Sequence, residues 1–393
     1  MRILFIHEVN YLMKVIFEMH EFPELLALRG HDVTFFHYPE SAVGQRRNHR
    51  ASTHRIHGRA YPEAALELVT PPTWGGGAIG RLTAPIVNIP TLSRLIRTGG
   101  FDAIVLYAVP TTGWQTVRIA KRAGVPVIFR ALDVSHRIRR TPFAPLIRLA
   151  ERYIYRNADL LSANNPAMAA YCVEASGRTG PSEVHLPPVD VSHFAVGDRK
   201  VRPEFDLTDE HRVILYMGSF FEFSGLDDVL RSMVGEFERD PMLRLMLVGG
   251  GTIDESLREL AVELGIDDRV IFTGVVPYLD LPSYLKAADV AINPFRSELV
   301  TNVAFPHKVL QYMAAGVPAV STSLTGLRGV LGDASGVTWA DGPAGVAAEA
   351  VRIAHLPLAE RRSITTAQED FVARTFSIDG AVAALERSLT EVG

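Results

Sequence analysis

Short apolar runs rich in β-branched residues alternate along the chain with amphipathic stretches of helical length, and no other feature restricts the fold as much. A strand, a helix and a second parallel strand make one βαβ unit, so a chain repeating this pattern builds parallel sheets covered by helices. In the first half, strands are predicted at residues 2–7, 32–37, 103–107, 126–130, 160–163 and 184–186. In the second they fall at 213–217, 243–248, 270–273, 290–294, 319–322 and 337–339. Two six-stranded, doubly wound, Rossmann-like sheets follow. A chain of 393 residues exceeds what one core usually serves, and its 47% hydrophobic content is ample for two. Residues 191–212 are polar, contain Pro203 and lack a sustained period. They read as the connection between domains spanning 1–195 and 196–375, with 376–393 a terminal helix crossing back to the first domain. The His/Arg-rich stretch 40–59 and the Gly/Pro-rich stretch 71–90 read as long loops of the first domain.

Composition narrows function by exclusion. No apolar run approaches the roughly 20 residues of a membrane span, and the chain enters directly as a strand without a cleavable signal pattern, which implies a cytoplasmic protein. Cys172 is the only cysteine and cannot form an internal disulfide. No Cys/His cluster has zinc-ligand spacing, so no structural metal is expected. Charge is unevenly spread: residues 1–195 hold 22 Lys+Arg against 15 Asp+Glu, and the remainder 18 against 29. The basic excess lies mainly in runs at 46–59 and 130–156. It has two readings, a solvated face or contact with an anionic partner such as a membrane surface. In the second reading the protein is peripheral on the inner membrane surface. No nucleic-acid partner is expected.

Ligands of open parallel sheets bind outside the carboxyl ends of the strands. The candidates are therefore the residues just past each strand: His7, Glu8, Arg130, Asp133, Ser219, Gly249 to Gly251, Val275, Arg296 and the segment near Phe305. That last segment, Phe305-Pro306-His307-Lys308-Val309-Leu310-Gln311, continues to Gly316 and Pro318. Pro306 suits a first helical turn, Gly316 suits the position after the last, and Pro318 stops continuation. Free N–H groups at the start of such a helix, with its dipole behind them, suit an anion such as pyrophosphate, and Lys308 adds a full charge. Gln311, one turn on, suits ribose hydroxyls. A capped surface helix is the alternative, but it does not explain the position at the strand ends. Gly249-Gly250-Gly251 also begins like a dinucleotide fingerprint. Asp254 stands where the third glycine belongs, which argues against a nicotinamide or flavin cofactor.

Together with Ala288-Asp289-Val290-Ala291-Ile292-Asn293-Pro294-Phe295, this segment resembles family 4 glycosyltransferases of the GT-B fold. Arg29-Gly30-His31-Asp32-Val33, Ala158 to Ala163, Pro187-Pro188-Val189-Asp190, the glycine triplet and Phe272 to Tyr278 resemble the family in the same order. The resemblance implies two α/β domains facing across a cleft. The second would bind a UDP- or GDP-sugar and the first a glycan, lipid-linked or small-molecule acceptor, with retention of anomeric configuration. Donor contacts are then expected from Gly218, Ser219, Phe220, Gly249, Val275, Tyr278, Arg296, Thr301, Asn302, Phe305, Pro306, His307, Lys308 and Gln311.

The chain also departs from the family. Where many members carry a Glu-x7-Glu motif, it has Val303 and Gln311, so Glu298, Thr301 and Asn302 are candidates to replace the lost sugar contact; plain surface is the other reading of that loop. Ser219 and Ser224 stand where an Arg and a Lys usually meet the diphosphate. Charge must then come from Lys308 and from Arg296, which suits bidentate phosphate binding or, alternatively, a surface salt bridge. Met13 and Lys14 replace a glycine pair after the first strand, and Leu132-Asp133 replaces a His-Asp pair. His20 and Glu21 lean toward a structural role.

A retaining transfer needs stabilisation of the departing diphosphate more than a protein base. Catalytic candidates are Asp133, Arg130, Glu298 and Lys308, with His7, Glu8 and Lys14 on the acceptor side. Asp133 and Glu8 are the options for a base. No metal or other cofactor is expected. Two other classes remain open: a GT-B epimerase or phosphorylase, and a catalytically silent partner subunit, the latter suggested by Val303, Ser219 and Ser224.

Overall fold

The computed structural model describes residues 1–39, 50–138 and 141–393. Residues 46–49 of the basic run 46–59, Arg46 and Arg47 among them, and Arg139 and Arg140 of the second run lie outside the described residues. The chain divides into two compact units, Met1–Pro188 with Asp379–Gly393, and Val189–Ile378.

The first unit contains β1 (Arg2–Ile6), β2 (Asp32–Phe36), β3 (Ser52–His57), β4 (Ala65–Thr70), β5 (Ala103–Leu106), β6 (Val127–Ala131), β7 (Leu160–Ala163) and β8 (Ser182–Val184). They form one sheet in the order β3-β4-β2-β1-β5-β6-β7-β8, parallel except for the β3–β4 pair. Among the described residues, eight strands therefore replace the six expected. Of the two added ones, β3 escaped the sequence pattern for a physical reason. At the sheet edge, β3 has no buried residue, and its Ser-Thr-His-Arg-Ile-His sequence carries a single apolar side chain. Part of the presumed 40–59 loop is thus strand. The presumed 71–90 loop is mostly helix, Gly77–Val87 followed by Ile89–Thr98, where Pro90 sits in the permissive first turn of the second. β8 ends before Pro187-Pro188, two residues that remove ladder donors, and so lies earlier than predicted.

The second unit contains β9 (Arg212–Phe220), β10 (Leu243–Gly251), β11 (Val270–Gly274), β12 (Val290–Asn293), β13 (Ala319–Thr322) and β14 (Thr338–Ala340). The order β11-β10-β9-β12-β13-β14 is the doubly wound pattern, reversing direction between β9 and β12. On one face Val229, Leu230 and Met233 of the Leu226–Arg239 helix meet Val346, Ala350 and Ile353 of the Gly342–Ala354 helix over Ile214, Tyr216 and Leu245. The presumed connection 191–212 is not a free linker. It holds a short helix, Val191–Ala195, and a 3-10 turn, Arg202–Phe205. Buried Arg202 ties it to the second unit by donating to the Ala287 and His211 carbonyls, both at 2.7 Å. The terminal helix, Ile378–Val392, is bound within the first unit by Arg29 to Glu386 and Arg29 to Asp379, both at 2.7 Å.

Candidate functional site

In the first unit the carboxyl ends of β1, β5 and β6 surround a cavity of about 190 Å³ lined by His7, Glu8, Lys14, Tyr107, Arg130 and Asp133, among others. The fold therefore gathers the three acceptor-side candidates and two of the catalytic candidates in one place. Glu8 is buried, and its Oε2 accepts from the Val109 amide at 3.3 Å and from the Thr111 amide and hydroxyl at 3.4 Å. That fixes the turn after β5. His7 stacks on Tyr107 with ring centres 5.2 Å apart. Asp133 is exposed and accepts from the Ser135 hydroxyl at 3.3 Å.

Arg130 corrects its assignment as a catalytic group. It is 1% exposed and donates to both oxygens of Glu18, at 2.7 and 2.9 Å, and to the Ser162 hydroxyl at 3.0 Å. Burial alone would depress its pKa, but the charge and hydrogen bonds of Glu18 outweigh that and raise it. A guanidinium so occupied is a wall of the cavity, holding β6 to the Glu18–Leu28 helix. Sequence reasoning missed Glu18 because the two partners are far apart in the chain.

In the second unit, β9 runs on through Gly218, Ser219 and Phe220, which pair with Gly249, Gly250 and Gly251 of β10. The strand predicted at 213–217 therefore runs three residues further than expected. The triplet serves this pairing: a Cβ on Gly249 would lie 2.0 Å from the Gly218 carbonyl oxygen, and one on Gly251 would lie 2.3 Å from that of Phe220. Gly218 has φ +134°, and a Cβ there would meet the Lys308 ammonium nitrogen at 2.8 Å.

Lys308 reaches this place over two rings, 3.8 Å from the centre of Tyr216 and 4.6 Å from that of Phe295. The side chain is only partly exposed, and burial holds its pKa well below the usual lysine range, with no carboxylate among the described residues near enough to oppose it. One turn on, Gln311 is 6% exposed, and its side-chain amide makes no hydrogen bond to the protein among the described residues. A lysine with no carboxylate close to it among the described residues, and Gln311 three residues on in the same helix, make an arrangement that an anionic, hydroxyl-bearing ligand suits. Tyr216 and Phe295, which seat the ammonium, were not singled out in the sequence. Phe295 lies within the family-like segment, but nothing marks a ring as facing a lysine until the strands are assembled.

The helix itself starts later than expected, at Lys308, and spans Lys308–Ala314. Its first turn is tight: the Val309 amide donates to Pro306 at 3.1 Å and the Leu310 amide to His307 at 3.0 Å. Those donors are already used, so the charge of Lys308 outweighs the helix end as an anion anchor.

Several other donor-side expectations are corrected. Arg296 is filled by acceptors: its guanidinium bonds both oxygens of Asp227 at 2.8 and 2.7 Å, Asp228 at 2.7 and 3.0 Å, and the Glu222 carbonyl. Burial lowers its pKa, but these carboxylates more than reverse that. The salt-bridge alternative is the one observed. Glu298 caps the short Leu299–Val303 helix and is exposed, and the buried Thr301 hydroxyl accepts from the Glu298 amide at 2.9 Å. Asn302 accepts from the Thr325 amide at 3.3 Å and donates to Ser297 at 2.9 Å. The presumed sugar-contacting loop is thus a self-capped helix. The Phe305 ring is buried against Phe376, with centres 5.9 Å apart. Tyr278 stacks on His193 at 4.6 Å, and Ser224 is buried with its hydroxyl donating to the Phe221 carbonyl. Val275 stays 71% exposed.

A family model described as glycosyl transferase 4-like domain matches residues 19–189, and one described as glycosyl transferases group 1 matches residues 211–355. D-inositol 3-phosphate glycosyltransferase of Thermomonospora curvata is 30% identical over 69% of this chain and 66% of its own length. Mannosylfructose-phosphate synthase of Agrobacterium fabrum is 32% identical over 45% of this chain and 40% of its own. The chain thus spans less than two thirds of these relatives. Sucrose-phosphate synthase of Thermosynechococcus elongatus superposes over the full length of both chains with TM-score 0.76 at 18% identity. Anabaena HepE in complex with UDP does so with TM-score 0.73 at 14% identity. Those likenesses show the GT-B fold. With a glycosyltransferase model matched to each half of the sequence, the chain belongs to the group 1, family 4-like glycosyltransferases.

Proposed function

We propose that this protein transfers a sugar from a nucleotide diphosphate donor, UDP- or GDP-linked, to an acceptor held in the cavity of the first unit, with retention of configuration. The observation that carries the reading is the Lys308 ammonium, uncompensated by any carboxylate among the described residues and seated between Gly218 and two aromatic rings. Its charge falls on the donor diphosphate, and the buried Gln311 amide meets the ribose hydroxyls. As the sugar–phosphate bond breaks, negative charge grows on the leaving diphosphate, and a fixed cation in a low-dielectric setting stabilises that change. The acceptor hydroxyl attacks on the face from which the diphosphate departs and gives its proton to the leaving phosphate oxygen. Asp133, exposed at the cavity, orients that hydroxyl, whereas Glu8 is committed to its turn.

The names of the relatives support phosphorylated polyols and phosphoinositide lipids as the first acceptors to try, the latter through a GDP-mannose-dependent phosphatidylinositol monomannoside mannosyltransferase of Mycolicibacterium smegmatis, 30% identical over 45% of this chain and 47% of its own length. We further propose that no divalent ion takes part, Lys308 supplying the charge that a metal would. The test combines calorimetry with UDP, GDP and their nucleosides, and transfer assays with and without EDTA whose products are read for anomeric configuration by NMR. Binding of a diphosphate in preference to its nucleoside, followed by a retained product, is the expected result. Failure to bind either diphosphate overturns the reading.

A further inference from the structure

The first unit carries a second recess, unused by the reaction above. It has a volume of about 980 Å³ and is lined mainly by three helices, Gly77–Val87, Gly113–Ala123 and Ala144–Asn157, which contribute Leu82, Pro85, Trp114, Leu146 and Leu149. Leu82, Leu146 and Leu149 are each more than half exposed, as are Ile79 and Ile86 beside them. Water-facing leucines and isoleucines grouped in this way mark a surface that something covers.

Charge identifies the cover. These helices and Ile89–Thr98 carry nine basic residues: Arg81, Arg94, Arg97, Arg118, Lys121, Arg122, Arg148, Arg152 and Arg156. Their one acidic residue, Glu151, is 1% exposed and spent on His136. Arg118 lines the recess and is exposed, as is Arg148 on the facing helix. An apolar groove with Arg81 and Arg118 in its lining, on basic helices that carry no exposed carboxylate, complements one kind of surface, where acyl chains lie beneath phosphates. The recess also shares a wall with the acceptor cavity: Thr111 lines the recess, and its amide and hydroxyl bond Glu8, which lines the cavity.

We propose that this face docks on an anionic lipid bilayer, the groove leucines entering the acyl boundary and the arginines meeting lipid phosphates. Docking of this kind presents the acceptor cavity to molecules resident in the membrane, and it stands independently of the donor chemistry.

The test is flotation of the full chain with phosphatidylcholine vesicles, and with vesicles containing about 30% phosphatidylglycerol, at low and high salt. The protein is expected to bind the anionic vesicles, to leave them as salt rises and to ignore the neutral ones. Leu82→Glu with Leu146→Glu should abolish binding. Arg118→Glu with Arg148→Glu should weaken it by about 25-fold or more, at roughly fivefold per basic residue. Nucleotide-induced thermal shift, measured on every variant, reports folding and the donor site. Wild type that ignores anionic vesicles while still binding nucleotide overturns the docking and leaves the transfer reaction standing. So does wild-type-like binding by both double variants, the outcome that attachment through another face would give.

Discussion

The Lys308 ammonium occupies the space that a side chain on Gly218 would need, the nitrogen lying 2.8 Å from the Cβ position. Gly218→Ala therefore does two things. It strains a backbone held at φ +134°, and it pushes the ammonium off its seat above Tyr216. Nucleotide diphosphate affinity should fall about 10- to 100-fold, equivalent to roughly 1.4–3 kcal/mol, with nucleoside affinity much less affected. Lys308→Ala should produce a similar loss. The double variant should lose little more than either single one, because both remove the same contact. Additive losses in calorimetric titrations would separate the two residues and sink the shared-contact account.

The depressed pKa of Lys308 makes donor binding sensitive to pH in a definite direction. Without ligand, burial favours the neutral amine; a bound diphosphate favours the ammonium and raises the pKa again. Binding then takes up a proton whenever the pH lies between the two values, and affinity falls up to tenfold per pH unit across that window. Stability of the ligand-free protein runs the opposite way. The unfolded chain, with a lysine pKa near 10.4, binds more protons than the folded one, so this group's contribution rises with pH between the depressed value and about 10.4. Calorimetry in buffers of different ionisation enthalpy should detect the proton uptake in wild type and not in Lys308→Met. Equal uptake in both would assign the proton to another group.

Much of this fold was legible because its central strands are buried on both faces and read as continuous apolar runs, as in Ile3 to Ile6 and Ala103 to Leu106. β3 was not, because both of its faces meet water. The candidate site divides along similar lines. His7, Glu8, Lys14 and Asp133 meet around one cavity because position after a strand is enough to bring them there. Arg130 and Arg296 also follow from position, but position says nothing of what a guanidinium finds within reach. Glu18 comes from a helix that packs behind β6, and Asp227 and Asp228 come from the first turn of the Leu226–Arg239 helix. Ion pairing is decided by packing, which a strand pattern does not encode. Lys308 differs from both arginines because the groups around it are rings and a glycine, and that absence of acid was already written in Gly218-Ser219-Phe220.

Arg296 gives a contrasting mutational signature. Since its guanidinium is divided between Asp227, Asp228 and the Glu222 carbonyl, removing it leaves two adjacent carboxylates without their cation. Their place in the first turn of a helix softens the loss, because the helix dipole favours negative charge there. Arg296→Ala should lower stability by about 1–2 kcal/mol, since the cluster is only partly buried, and should leave the KM for the nucleotide sugar within about twofold of wild type. Denaturant melts and steady-state kinetics on one preparation would check both. A tenfold rise in KM at unchanged stability would restore the phosphate role that its bonding pattern denies it.

A histidine held neutral adds to the Arg29 ion pairs that return the C-terminal helix to the first unit. His185 Nδ1 lies 2.7 Å from the Ser162 hydroxyl, and its Nε2 lies 3.0 Å from the hydroxyl of Ser388 on the Ile378–Val392 helix. Burial and the nearby Arg130 charge lower its pKa to about 4, against the opposing pull of Glu183 and Glu18. Folded His185 thus takes a proton less readily than the unfolded chain, whose histidines titrate near 6.5. Its contribution to stability is whole above about 6.5 and is lost as pH falls toward 4, at a slope of up to about 1.4 kcal/mol per pH unit. His20 and His37, also buried and lowered to about 3 and 4, titrate over the same range, so the diagnostic is a difference between proteins. His185→Gln keeps a neutral polar side chain, and its stability should fall less steeply between pH 6.5 and 4 than that of wild type. Hydrogen exchange should locate the wild-type loss in the Ile378–Val392 helix, because protonating His185 disturbs the hydroxyl pair that ties this helix to β7 and β8. Parallel acid limbs for the two proteins, or exchange that quickens first elsewhere, would remove His185 from that role.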